Sequence, residues 1–135
     1  MLLRVHIIAA SAWLGLIVAE TVMELMAKDK STRLFVAKAH KIIDIYFEGP
    51  LVAIVLLTGS ILLYQLWPNA SFLLLAKVTA GLTAVVSNIL CIDWVIRRAK
   101  AKNDSDFSKY ARRISWTGYT IPLAFLALAI GLYSV

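Results

Sequence analysis

A chain of 135 residues that is 61% hydrophobic, with a mean hydropathy of +0.80, is too apolar for a soluble domain, where the apolar share runs nearer ~45–50%. Its net charge of +6 is gathered around the connections between apolar runs, which excludes a nucleic-acid partner and points to anionic lipid. The single cysteine, Cys91, excludes intramolecular disulfides and Cys-x-x-Cys attachment of metal or c-type haem.

Four apolar runs, 2–26, 43–67, 72–96 and 115–135, take up most of the chain. Each offers about 20 or more residues, enough at ~1.5 Å per residue to cross a ~30 Å hydrocarbon core. Backbone polar groups in lipid must be satisfied within the span, so such runs form helices. The sequence therefore predicts an all-α integral membrane four-helix bundle, a single domain over residues 1–135, with helices at about 2–26, 34–67, 72–98 and 112–135.

The first run begins beside Arg4 and passes through Ala10-Ser11-Ala12, a pattern similar to a signal-peptide cleavage site. It continues to Met26, beyond an h-region of about 7–15 residues, and is read as a retained helix. It carries His6, Trp13, Gly15, Glu20 and Glu24. A polar connection follows at 28–32, and the stretch 33–41 keeps helical spacing, so the second helix is expected to start in the interface and enter the membrane later. His40, Asp44 and Glu48 form one stripe on it. Pro50 has no N–H and clashes with the Tyr46 carbonyl, which predicts a kink beside Glu48.

In the third run Lys77 is the sixth residue, Asn88 and Asp93 follow, and Arg97-Arg98 close it. Residues 99–108 read as a polar, mobile loop, and Pro122 predicts a second kink near Gly118 in the last helix. Of the 14 basic residues, all but Arg4 and Lys77 lie in or beside the first and third connections. The positive-inside rule makes that side cytoplasmic and places both termini outside.

Depth counting from the outer side separates two polar layers. His6 and Lys77 share an outer layer, and Glu20 lies ~20 Å deeper than His6 on the same helix. His6 and Trp13 are seven residues apart and share a face, with small residues at Ala9, Ala10 and Gly15 that would let a flat ligand or a helix approach. Imidazole is an axial ligand of haem iron and an apolar slot suits a porphyrin; the plainer reading has His6 and Lys77 snorkelling to headgroups. The inner layer collects Glu20, Glu24, His40, Asp44, Glu48 and Asp93. Carboxylates with a histidine on facing helices match the ligands of metal sites in bundles, although the Glu-x-x-His pairing is absent. The plainer reading is an interfacial ion-pair network with Lys41, Arg97, Arg98, Arg112 and Arg113, in which Tyr119 and Asn88 serve as hydrogen-bond partners. Glu20 and Glu48 lie deepest and fit that network least, which suggests a proton relay or a divalent-metal site completed by His40.

The run His6-Ile7-Ile8-Ala9-Ala10-Ser11-Ala12-Trp13-Leu14-Gly15 resembles the first helix of a group of small bacterial membrane proteins. The group includes the haem-containing, non-flavin protoporphyrinogen IX oxidases and the copper-resistance D-type membrane proteins. Ala76-Lys77, Arg97-Arg98 and Thr58-Gly59 are also similar to the oxidases. The resemblance implies a haem b protein of the bacterial inner membrane, acting in electron transfer or porphyrin-linked oxidation with a quinone or redox partner. It also implies that His6 and Lys77 are the catalytic pair; with Trp13 and Gly15, which counting places near the same depth, they are the residues expected to hold the cofactor. The chain departs from the oxidases at Ile17-Val18-Ala19-Glu20-Thr21 and at Trp116-Thr117-Gly118-Tyr119-Thr120-Ile121-Pro122. His40-Lys41-Ile42-Ile43-Asp44 is similar in turn to helix two of the invasion-regulator B-type membrane proteins, which adds architecture without an activity. The alternatives are a divalent metal-ion binding or transport protein using the inner layer, a small proton-coupled transporter, to which Ala19-Glu20 has a superficial likeness, or an accessory subunit. A homo-oligomer is compatible with each of these.

Overall fold

The computed structural model describes residues 1–69 and 71–133. Among them there is no strand, and four helices are long and apolar enough to cross a membrane: α1 (Leu2–Met26), α2 (Lys30–Asn69), α3 (Phe72–Ala99) and α4 (Asp104–Leu132). The all-α membrane bundle expected from composition is the architecture found. Ala70 of the second connection and the last two residues of the fourth predicted helix lie outside the described residues.

Two helices start earlier than hydropathy suggests, because their first turns are polar and fixed by capping rather than by burial. The Asp29 carboxylate accepts from the Thr32 hydroxyl, from the Thr32 N–H at 2.9 Å and from the Ser31 hydroxyl at 2.8 Å, so α2 begins at Lys30. Those bonds hold Asp29 well below the usual carboxylate range. At α4 the Asn103 side chain accepts from the Asp106 N–H at 2.7 Å, and Asp104 and Asp106 sit in the first turn, where the helix dipole favours negative charge. Most of the expected mobile loop 99–108 is therefore helix. Lys30 and Asp104 join the two capped starts at 3.1 Å across an exposed surface.

Pro50 and Pro122 each change the helix type ahead of them. Before Pro50, residues Asp44–Glu48 form a π-turn in which the Gly49 N–H donates to the Asp44 carbonyl. This adds a residue to the turn beside a proline that has no N–H to give the Tyr46 carbonyl. Before Pro122 the chain tightens into a 3-10 turn at Gly118–Thr120, and the Ile121 N–H returns to the Gly118 carbonyl.

The second half of α2 packs along α1, and α3 packs along α4 and the first half of α2. Trp13, Leu14, Val52, Ala84, Val85 and Ala124, drawn from all four helices, form the central core. A Cβ on Gly81 would sit 3.8 Å from that of Ala127, so small residues let α3 and α4 approach closely without strain. Large apolar side chains such as Ile8, Leu57, Val86 and Leu126 point outward, as they do when the solvent is lipid.

Candidate metal centre

Three stripes of side chains meet at the basic end of the bundle. On α1 the stripe is Trp13, Ile17, Glu20 and Glu24, at helical spacings of four, three and four. On α2 it is His40, Asp44 and Glu48, with the last two in the π-turn. On α3 it is Ala84, Asn88, Cys91, Val95 and Arg98. A cavity of about 190 Å³ lies between them, bordered by Trp13, Glu20, His40, Glu48, Asn88 and Cys91. A second cavity, of about 300 Å³, opens beyond it toward the basic connections, and Glu24 borders both.

Glu20, His40 and Asp44 each offer a ligand atom within 4.8 Å of the others, at exposures of 4%, 4% and 0%. His40 Nε2 stands 3.5 Å from Glu20 Oε2 and 3.7 Å from Asp44 Oδ1, longer than hydrogen bonds. Two donors each ~2.1 Å from one metal ion stand roughly 3.4 Å apart when the geometry is tetrahedral, so the spacing suits coordination better than pairing. The other ring nitrogen, Nδ1, is 2.8 Å from Glu24 Oε1. A carboxylate only accepts, so Nδ1 carries a proton toward Glu24, while Nε2 faces the Glu20 and Asp44 carboxylates. Glu24 thus stands behind the histidine, and the arrangement of carboxylate, imidazole and open donor is the one that orients histidine ligands.

Arg98 holds Glu24 in place. Its Nη1 and Nη2 donate to the two carboxylate oxygens at 2.9 and 2.5 Å, and the guanidinium is nearly buried over the Phe107 ring. Of the basic residues expected to neutralise the acids, Arg97 pairs with Asp93 at 2.7 Å on an exposed surface, and Arg113 lies over Trp94. Asp93 is therefore not part of the centre. It matches the others in depth but stands five residues beyond Asn88, which on a helix turns it away from their face. Glu24, expected as a ligand, is committed to Arg98 and His40.

That leaves Glu20, Asp44 and Glu48 without a basic partner from the connections. Glu48 accepts one bond, from Asn88 Nδ2 at 2.9 Å. Glu20 Oε1, both Asp44 oxygens, Glu48 Oε1 and Asn88 Oδ1 are buried with no hydrogen-bond partner among the protein atoms. Burying a carboxylate without compensation costs several kcal/mol, so the set must be balanced by bound protons or cations. Sequence reasoning gave Asn88 and Arg98 supporting parts and passed over Cys91; their seven-residue steps, 84–91–98 and 88–95, were the available signal.

The outer residues are arranged differently. His6 Nδ1 is 2.8 Å from the Thr58 hydroxyl, which itself donates to the Ile54 carbonyl at 2.6 Å. The imidazole lies on Gly59, where a Cβ would come within 3.1 Å of the ring. Lys77 lies on Gly131, where a Cβ would come within 2.8 Å of Nζ, and its charge is near enough to be felt at His6. The two therefore share a level, as counting along the helices predicts. Trp13 instead turns into the core and borders the inner cavity, while Gly15 is exposed with nothing within 4 Å of its Cβ position. Neither cavity touches His6, Gly15 or Lys77. The four residues expected to hold a haem therefore do not border one shared cavity of these two.

A four-helix membrane bundle with a buried carboxylate–histidine centre is thus the class that fold and site define. No protein-family model, no curated protein and no solved structure matches the chain.

Proposed function

We propose that this chain is a membrane protein that binds a divalent metal ion in the bundle, at Glu20, His40 and Asp44, and exchanges it with the basic side. The observation that carries this reading is the convergence of three nearly fully buried donors, with Glu20 Oε1 and both Asp44 oxygens lacking a hydrogen-bond partner among the described residues. One imidazole with two carboxylates is a borderline donor set, suited to first-row ions such as Zn²⁺, Mn²⁺ or Fe²⁺ and poorly suited to Cu⁺. Glu24 fixes the histidine tautomer, and Arg98 fixes Glu24. The second cavity, on the far side of Glu24, gives the ion a route from the basic end.

The test is elemental analysis of the detergent-purified protein after loading with Zn²⁺ or Mn²⁺ and removal of free ion. The wild type should retain metal in stoichiometric amount. Asp44→Asn should weaken retention by more than about 100-fold, because it removes a charged ligand between two others. A metal-free wild type, or full retention by a folded Asp44→Asn variant, would overturn the reading.

A further inference from the structure

We infer that the same cavity holds a second cation, about one turn deeper, on an all-oxygen site made by Asp44, Glu48 and Asn88. The inference rests on the reading of Glu20, His40 and Asp44 as a metal site and extends it along α2. Three features carry it. The first is the pattern of unpartnered atoms. Asp44 Oδ1 faces His40 Nε2 at 3.7 Å, whereas its Oδ2 is buried with no hydrogen-bond partner among the described residues. Glu48 Oε1 and Asn88 Oδ1 are in the same condition, at residue exposures of 1% and 8%, and both residues border the cavity.

The second feature is orientation. Asn88 Nδ2 is spent on Glu48 Oε2 at 2.9 Å, which fixes the amide so that its acceptor oxygen is left over, buried and without a hydrogen-bond partner among the described residues. An asparagine recruited only to neutralise a carboxylate would not need its carbonyl buried in the same space. The π-turn contributes here too, because Asp44 and Glu48 are its first and last residues and both are almost fully buried.

The third is charge. If Glu20, Glu24, Asp44 and Glu48 are all ionised, one guanidinium and a single divalent ion leave one negative charge over. That charge falls at the Glu48 end, where among the described residues no lysine or arginine pairs with it. Carboxylate and amide oxygens with cavity water are the donors of hard cations such as Mg²⁺ and Mn²⁺. Asp44 then bridges a nitrogen-containing position and an oxygen-only one, and an ion moving inward would pass from the first to the second.

Mn²⁺ suits both donor sets and is the probe. Equilibrium binding to the detergent-purified chain, counted by elemental analysis and followed by electron paramagnetic resonance, should give two ions per chain with magnetic coupling through Asp44. His40→Ala and Glu48→Gln should each reduce this to one uncoupled ion. Asn88→Asp keeps an oxygen donor at that position and adds charge, so it should tighten the weaker site at least tenfold; this variant keeps the test open if Glu48→Gln fails to fold. One ion in the wild type with Glu48→Gln unaffected would overturn this inference and leave the His40 site standing, with a proton on Glu48 instead. Loss of all metal in Glu48→Gln would also overturn it, since a single site would then include Glu48. No Mn²⁺ in the wild type would overturn both readings.

Discussion

At the His6 end of the bundle each polar side chain lies on a glycine of a neighbouring helix, His6 on Gly59 and Lys77 on Gly131, and both are only half-buried. At the basic end Glu20, Asp44 and Glu48 are almost completely buried and keep oxygens with no hydrogen-bond partner among the described residues. The His6 end accommodates polarity through space, since a missing Cβ makes room for a ring or an ammonium. The basic end concentrates charge and leaves it unmatched. Left unbalanced, the second arrangement costs the bundle stability, so bound protons or cations must offset it.

The largest effect outside the ligands themselves should come from Glu24. As the residue that orients His40, Glu24→Gln should weaken metal binding by about 10–100-fold without removing a ligand, measured by competition with a chelator of known affinity. An unchanged affinity would mean that the Glu24–Arg98 pair only closes the surface of the bundle.

At the other end, Thr58→Val removes the His6 partner and should cost about 0.5–1 kcal/mol in thermal unfolding, with metal content unchanged. The absorption spectrum sharpens the same contrast. Because His6, Trp13, Gly15 and Lys77 face different spaces, protein made with ample haem supply should show no Soret band. A band present in the wild type and lost in His6→Ala would reverse the assignment of the two ends and restore the oxidase-like expectation.

The smallest effect belongs to the cap of α2. Asp29 lies outside the spans and is fully exposed, and its folded-state pKa is lowered by the bonds from Thr32 and Ser31. Its contribution is complete above the unfolded value of about 4 and fades as the pH falls toward the lowered one. Asp29→Asn should flatten that part of the stability–pH curve, measured by unfolding between pH 2 and about 5.

The four spans were legible in the sequence because lipid imposes one rule on all of them, a long apolar helix. The inner cluster was legible for the same reason, since carboxylates stand out against such a background. Its membership was harder to read. Depth counting places Asp93 with Glu20 and Asp44, but depth says nothing about which way a helix faces. Facing would have separated Asp93 from Asn88 and Arg98. The early starts at Lys30 and Asp104 escaped hydropathy because Asp29 and Asn103 fix them through local hydrogen bonds. The grouping of His6, Trp13 and Gly15 rested on sequence distance along α1, and Gly15, which packs on nothing, shows how little a small residue by itself implies.

The π-turn at Asp44–Glu48 gives α2 something like a reading frame. One residue of α-helix is worth about 100° of rotation, so the extra residue sets the phase of everything before it relative to everything after it. Ile45, Tyr46 and Phe47 are all exposed, and their identities should be free to drift among apolar types. Their number should not. Losing one of them would heal the ladder into an ordinary helix and swing His40 off the cavity while leaving the span as apolar and as long as a membrane requires. In descendants of this chain the segment should therefore vary freely in letters and never in length.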